Sequence, residues 1–310
     1  MRTFFCHEKV QVHRMRFFMS LFEAILMGIV QGITEFLPVS SSGHLAVIGK
    51  LLNIQEEAGV SFEVLLHVGT LTAVCLVFRK DICRMAIELI RMISDLLYNG
   101  TTYFHNRFHT DAVRDYRKLL HNNYRKLVVM LALSTIPTGI LGYLMQGVVR
   151  EASATLLAPG LGFLVTGVLL FVMDNWKPGK KIPKDMKSSH ALAIGICQGL
   201  GTFPGISRLG ITMTAGLMCG LKRSFAVRYS FLLSIPAVIG ALILEIQTAS
   251  FPAMSWSLGG IYAAGTAAAA LTGCLVIRWM LNFVKSRKFF IFAAYCFLLG
   301  IATIVCHFAL

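Results

Sequence analysis

The chain has 310 residues, 56% of them hydrophobic and only 14% charged, with a mean hydropathy of +0.69. A soluble domain carries about 25% charged residues, so this composition excludes one and indicates an integral membrane protein. The formal net charge of +14 sits in short connections between apolar runs, which excludes a nucleic-acid-binding face and reflects membrane topology instead.

In chain order, residues 1–16 are a basic tail (Arg2, Lys9, Arg14, Arg16) without the small-residue site of a cleavable signal peptide. Such charge is out of place on an outer face. Either the native start is Met15 or Met19, or the first apolar segment spans the membrane fully. Residues 17–53 are apolar but broken at Pro38 and continue into Ser/Gly-rich backbone, as a helix that enters a membrane and turns back does. Spans are predicted at Ser61 to Phe78, Leu127 to Met145 and Leu156 to Met173, each long enough to cross about 30 Å of hydrocarbon. Between the first two lies a basic insert, 79–126, in which Ile82, Met85, Ala86, Leu89, Ile93, Leu96 and Leu97 form the stripe of a helix lying on a bilayer surface. A basic linker, 174–188, leads to a second broken segment, 189–221, and to spans at Ser224 to Glu245, Ser257 to Leu281 and Phe289 to Ala309. The eight cysteines lack metal-ligand spacing; Cys75, Cys197, Cys219, Cys274, Cys296 and Cys306 sit in or beside apolar runs as free packing residues.

The two broken segments are worn copies of each other. GIVQGITEFLPVSSSG begins at Gly28 and GICQGLGTFPGISRLG at Gly195; Gly28, Ile29, Gln31, Gly32, Phe36, Ser40 and Gly43 recur as Gly195, Ile196, Gln198, Gly199, Phe203, Ser207 and Gly210. The chain therefore divides into a first repeat, 17–173, and a second, 189–310, each with one re-entrant hairpin and three spans. Three is odd, so the second copy runs upside down. The expected fold is an all-α polytopic membrane protein built as an inverted-topology repeat, with six transmembrane helices and two re-entrant hairpins. Placing the insert 79–126 in the cytoplasm makes the later loops obey the positive-inside rule and puts both chain ends outside.

Ionisable groups at membrane depth are costly, which singles out Glu35 and His44 in the first copy and Arg208 in the second. Each has a bland explanation: a hydrogen-bonded core histidine, a carboxylate holding a helix end, a structural ion pair. Their convergence on equivalent breaks favours one site built from both halves. Broken helix ends present backbone N–H groups, Ser40, Ser41, Ser42 and Ser207 add hydroxyls, and Arg208 adds a guanidinium fork, with Gly43 and Gly205 counted beside Ser40, Ser42 and Ser207 as substrate-binding positions. That set suits phosphate. Glu35 serves as a proton acceptor or, with Gln31 one turn earlier, as a ligand to a divalent cation, while His44 has the chemistry of a nucleophile or general acid/base.

QGITEFLPVSSSGHLAV at Gln31 to Val47 and PGISRLGITMTAG at Pro204 to Gly216 closely resemble the two signature regions of the undecaprenyl-diphosphate phosphatase family linked to bacitracin resistance, and FEVLLHVGTLTAV from Phe62 resembles a further family stretch. The likeness runs from about Leu21 to the end of the chain. It implies hydrolysis of a polyprenyl diphosphate, undecaprenyl diphosphate, to the monophosphate with Mg²⁺ or Ca²⁺, at the outer face of the bacterial plasma membrane. It also implies functional roles for Glu35, Ser40, Ser41, Ser42, His44, Ser207 and Arg208. Two positions depart from the pattern: Gln31, where many members have Glu, and Leu209, where Ser is expected. The first predicts altered metal dependence. Ser41 with Glu35 as base is favoured slightly over His44 as nucleophile; membrane lipids are the surroundings, and a homodimer is left open.

Two rivals are weighed. SSSGH echoes the PSGH element of acid-phosphatase-type lipid phosphatases, but the histidine those enzymes need six residues after the arginine is Thr214 here. A transporter or flippase for an anionic lipid would use the same broken helices and Arg208 without a nucleophile.

Overall fold

Ser20 opens the first helix. Its Oγ accepts from Glu23 N at 3.2 Å while Glu23 Oε2 accepts from Ser20 N at 2.7 Å, a reciprocal cap that fixes where α1 (Leu21–Thr34) begins. In this computed structural model residues 19–52, 56–108, 113–177, 179–248, 256–284 and 288–309 are described. The tail 1–16, the link around Pro252, and Lys285 and Arg287 lie outside them. Twelve α-helices appear among the described residues: after α1 come α2 (Ser41–Leu51), α3 (Glu56–Val77), α4 (Arg79–Phe108), α5 (Asn123–Leu144), α6 (Gln146–Ser153) and α7 (Leu157–Asn175). A 3₁₀ turn at Pro183–Asp185 leads to α8 (Ser188–Leu200), α9 (Arg208–Met218), α10 (Arg223–Thr248), α11 (Trp256–Phe283) and α12 (Phe290–Ala309).

Among the described residues five helices are long and apolar enough to cross a membrane: α5, α7, α10, α11 and α12. The bent pair α3–α4, turning by 81° at Phe78, supplies a sixth. The protein is thus an all-helical, multi-pass membrane protein. The predicted surface helix in the insert extends further than its stripe, through all thirty residues of α4, and Ile87, Ile90, Ile93, Leu96 and Leu97 remain exposed along it. Its inner side is held by Arg125, whose Nε donates to Glu88 Oε2 at 2.8 Å and whose Nη1 donates to Asp95 Oδ2 at 2.7 Å. The short helix α6 is an element beyond those expected, lying between two of the predicted spans. The seven described cysteines are free, but only Cys296 is buried, and Cys83 and Cys306 are exposed. The packing role expected for Cys306 is therefore corrected: it sits on the outward face of the last helix.

The halves interlock reciprocally. The first hairpin helix, α1, lies along α11 of the second half, and its counterpart α8 lies along α5 of the first; α3 meets α10, and α7 meets α12. The glycines shared by the two copies make these crossings. A Cβ on Gly32 would come 2.6 Å from Ala269 O and 2.9 Å from Gly273 N, and one on Gly195 would come 2.8 Å from Pro137 Cγ. Small residues let the backbones touch where lipid supplies no hydrophobic drive between helices. Hydroxyls then seal the α5–α8 seam: Ser134 Oγ donates to Ala191 O at 2.6 Å and Thr138 Oγ1 to Gly195 O at 2.9 Å.

Candidate functional site

Each hairpin breaks before its proline. Pro38 has no N–H and its ring crowds the carbonyl four residues back, so α1 stops at Thr34 and the chain passes through turns to Val39. Ser40 then starts α2 from a backbone with φ 69° and ψ 102°, the one non-glycine residue with positive φ among those described. In the second hairpin α8 stops at Leu200, Gly205 takes φ 83°, and Ser207 caps α9 from ordinary extended backbone.

The two breaks touch. A Cβ on Gly43 would lie 3.1 Å from Gly205 Cα, so both glycines serve this close approach. At the junction Glu35 is the hub. Its Oε2 accepts from Ser41 Oγ at 2.5 Å and from Gln31 Nε2 at 3.4 Å, and its Oε1 lies 3.8 Å from Arg208 Nη1. That last distance is too long for a hydrogen bond, and the buried Arg208 Nη1 has no acceptor. A cavity of about 20 Å³ borders the pair, closed by Phe36, Leu209, Thr212, Ser230, Phe231 and Ser234. It has room for about one water molecule. Leu209, in place of the expected serine, presents an apolar wall there.

Of the remaining predicted residues, Ser42 stands at the exposed edge, with its Oγ 3.3 Å from Ser40 Oγ. Ser207 Oγ accepts from Gly210 N at 3.0 Å as a helix cap. His44 is brought near the breaks but not into the hub. Its Nδ1 is 2.7 Å from Ser40 O and its Nε2 is 2.7 Å from Tyr295 Oη, and Phe163 packs edge-on against the ring with centroids 5.2 Å apart. With Nδ1–H donating to the carbonyl, Nε2 accepts from Tyr295, so the lone pair a nucleophile needs is already engaged.

Sequence reasoning missed Tyr295 and Thr166. Tyr295 carries no local signal, since its partner lies 251 residues away. Thr166 is a buried hydroxyl in α7 that donates to Gly205 O at 2.8 Å and accepts from Ser207 N at 2.9 Å, stapling the second break from both sides. Its signal is a lone threonine between Gly162 and Gly167 in an apolar span, the small-polar pattern of helix contacts in membranes.

Among the described residues no group of three or more His, Cys, Asp and Glu side chains converges to hold a metal. Gln31 is fully buried, however, and its Oε1 has no hydrogen-bond partner beside the Glu35 carboxylate. Two hard oxygen donors of this kind fit Mg²⁺ or Ca²⁺ that completes its shell with phosphate oxygens and water.

Fold and site together define a multi-pass membrane protein whose polar centre pairs an acid-bound hydroxyl with an unsatisfied guanidinium at the meeting of two broken helices. A family model described as bacitracin resistance protein BacA matches residues 24–302, and the chain belongs to that family. The undecaprenyl-diphosphatase of Methanosphaera stadtmanae is 39% identical over 288 residues, covering 93% of this chain and 98% of that one. The protein of that name from Alkaliphilus metalliredigens is 39% identical over 282 residues, covering 91% and 97%. Undecaprenyl-diphosphatase 4 of Bacillus thuringiensis is 34% identical over 291 residues, covering 94% and 98%.

Proposed function

We propose that this protein hydrolyses undecaprenyl diphosphate to undecaprenyl phosphate and inorganic phosphate at the junction of the two breaks. Family membership and the shared name of its relatives support the reaction. The observation that carries the site is the pairing of Ser41, whose hydroxyl donates to Glu35 at 2.5 Å, with a buried Arg208 nitrogen that lacks an acceptor. A buried donor left unpaired is costly, and a phosphate oxygen is the natural acceptor for a guanidinium.

In this reading Glu35 takes the proton of Ser41 as its oxygen attacks the terminal phosphorus. The bridging P–O bond breaks, its electron pair leaves with the lipid monophosphate, and Glu35 passes the proton it took to that leaving oxygen. As a carboxylate again, it deprotonates a water that attacks the phosphoserine phosphorus; the P–O bond to Ser41 breaks, and the proton returns from Glu35 to Ser41 as inorganic phosphate leaves. Arg208 and the N–H groups at the start of α2 hold the equatorial oxygens, where the charge spreads. Gln31 Oε1 and Glu35 would hold a divalent cation, which supplies charge neutralisation of the diphosphate when bound. His44, tied to Ser40 O and Tyr295, positions the strained start of α2. The lipid tail lies between spans, in a plasma membrane with the site facing outward, as the basic connections at the opposite end support.

The test is release of inorganic phosphate from a polyprenyl diphosphate by purified protein. Ser41→Ala and Arg208→Ala abolish turnover, whereas His44→Gln retains a measurable rate. Retained turnover in Ser41→Ala with none in His44→Gln would hand the nucleophile's role to the histidine. Movement of labelled lipid across vesicles without phosphate release would favour a carrier.

A further inference from the structure

A second, larger cavity lies at the elbow between α3 and α4, with a volume of about 660 Å³. That is the size of a small-ligand site, which runs from about 300 to 1,000 Å³. Four cations line it: Arg79 and Lys80 from the elbow, Arg228 from α10 and Arg278 from α11. The one carboxylate present, Asp81, is neutralised by an ion pair with Arg228 and also accepts from Tyr124 Oη at 3.2 Å. Among the described residues no carboxylate pairs with Arg79, Lys80 or Arg278. Arg228 Nε is buried without an acceptor.

Membrane topology alone does not account for this cluster. The positive-inside rule places lysine and arginine in the connections between spans. Arg228 and Arg278 lie about one and a half turns from the ends of α10 and α11, and what that rule leaves unexplained is their convergence with Arg79 and Lys80 on one cavity. The chamber is also separate from the hydrolytic centre. Phe231 stands between them, its ring 5.9 Å from Phe36 on one side and 5.8 Å from Phe78 on the other. Three unpaired cations and an unsatisfied guanidinium nitrogen around one cavity call for an anion with several acceptor oxygens.

We propose that the elbow cavity binds a phosphate group, carried either by inorganic phosphate or by the head group of an anionic membrane lipid. Lys80 and Arg278 are exposed, come from different helices and can be changed without breaking the Asp81–Arg228 pair.

The full chain, carrying Arg208→Ala to silence the hydrolytic centre, is placed in phosphatidylcholine nanodiscs and titrated with inorganic phosphate by calorimetry at low salt. In a second arm, retention of phosphatidic acid over phosphatidylcholine is read by native mass spectrometry. The pair Lys80→Glu and Arg278→Glu weakens whichever probe binds by about tenfold or more, because two charge-assisted contacts become repulsive. Arg228→Lys, which keeps the charge and loses the fork, gives an intermediate loss. Loss in the first arm assigns the site to free phosphate, and loss in the second alone assigns it to a lipid head group. Binding of neither probe by the parent, or equal binding by parent and charge-reversed protein, overturns the proposal. In the otherwise native chain the Lys80 and Arg278 changes leave hydrolysis intact, so failure of this inference is distinct from failure of the hydrolytic reading.

Discussion

Ser40 and Ser207 hold the same place in the two copies, yet one is strained and the other relaxed. Ser207 has φ −70° and its Oγ accepts from Gly210 N at 3.0 Å; Ser40 has φ 69° and accepts from Gly43 N at a loose 3.4 Å. In the second copy the positive φ has moved to Gly205, where it costs little, and Thr166 bonds the backbone on either side of Ile206. The first copy keeps a serine in a backbone region costing roughly 1–3 kcal/mol. The next residues are also counterparts: Ser41 begins α2 and Arg208 begins α9. One repeat has become the reactive half, with acid, hydroxyl and stored strain, and the other a stiff frame that presents a cation.

The largest effect should fall on one member of a matched pair. Glu35 and Thr202 are counterparts, but Thr202 only returns its hydroxyl to Gly199 O at 2.7 Å. Glu35→Gln is expected to lower kcat for phosphate release by about 10³-fold, the scale of a lost general base. Thr202→Ala should stay within about twofold, the scale of a group with no transition-state contact. Comparable losses in both would show that the halves share the chemistry. Next in size is stability at the frame. A Cβ on Gly205 would lie 2.9 Å from Gly162 Cα, on top of an unfavourable φ, so Gly205→Ala should destabilise the protein by about 2 kcal/mol or more. Ser40→Gly relieves strain while losing a weak cap, and should change stability by less than about 1 kcal/mol. Thermal melting in detergent reads both, and equal losses would remove the distinction between strained and relaxed breaks.

Smaller still is the contrast between Gln31 and Gln198, both buried with an unpartnered Oε1. Gln198 donates to Thr138 and Leu233 O within the frame, whereas Gln31 donates to Glu35. Gln31→Glu adds a second carboxylate beside the first and should lower the Mg²⁺ or Ca²⁺ concentration for half-maximal activity by about tenfold. Gln198→Glu should leave that concentration unchanged. A metal response that is the same in Gln31→Glu and the parent would separate this pair of oxygens from cation binding.

The spans were legible because about 20 apolar residues in a row can do little else. The predicted boundaries at Leu127 to Met145 and Ser257 to Leu281 lie within a few residues of α5 and α11. The meeting of the breaks was legible through the repeat, since Ser40 to His44 and Gly205 to Arg208 occupy equivalent interruptions of the two copies; that the copied Gly28, Gly32, Gly195 and Gly199 mark helix crossings only the structure reveals. What escaped was set by distant contacts. His44 has the sequence profile of a catalytic histidine, but Tyr295 is what places it, and nothing around residue 295 announces that partner. Arg125 likewise looked like one more basic residue of the insert. In the structure it is buried and bridges Glu88 and Asp95.

That bridge gives the smallest predicted effect and marks a further asymmetry, because among the described residues the first half alone carries a long surface helix. The hydrogen bond from Arg125 holds the Glu88 carboxyl down from 4.5 to about 2, with Asn122 and Arg91 adding to it. Asp95 is lowered by Arg125 first and then Arg117. A carboxyl depressed in the folded state contributes stability that is complete above its unfolded value near 4.5 and is lost as pH falls toward 2. Amide exchange in α4, corrected for intrinsic rates, should therefore rise relative to α9 between pH 4.5 and 2. Glu88→Gln should remove part of that pH dependence, Asp95 keeping the rest, while leaving phosphate release unchanged at neutral pH. If α4 and α9 loosen together across this window, the insert is fastened by its apolar residues and not by the Arg125 clamp.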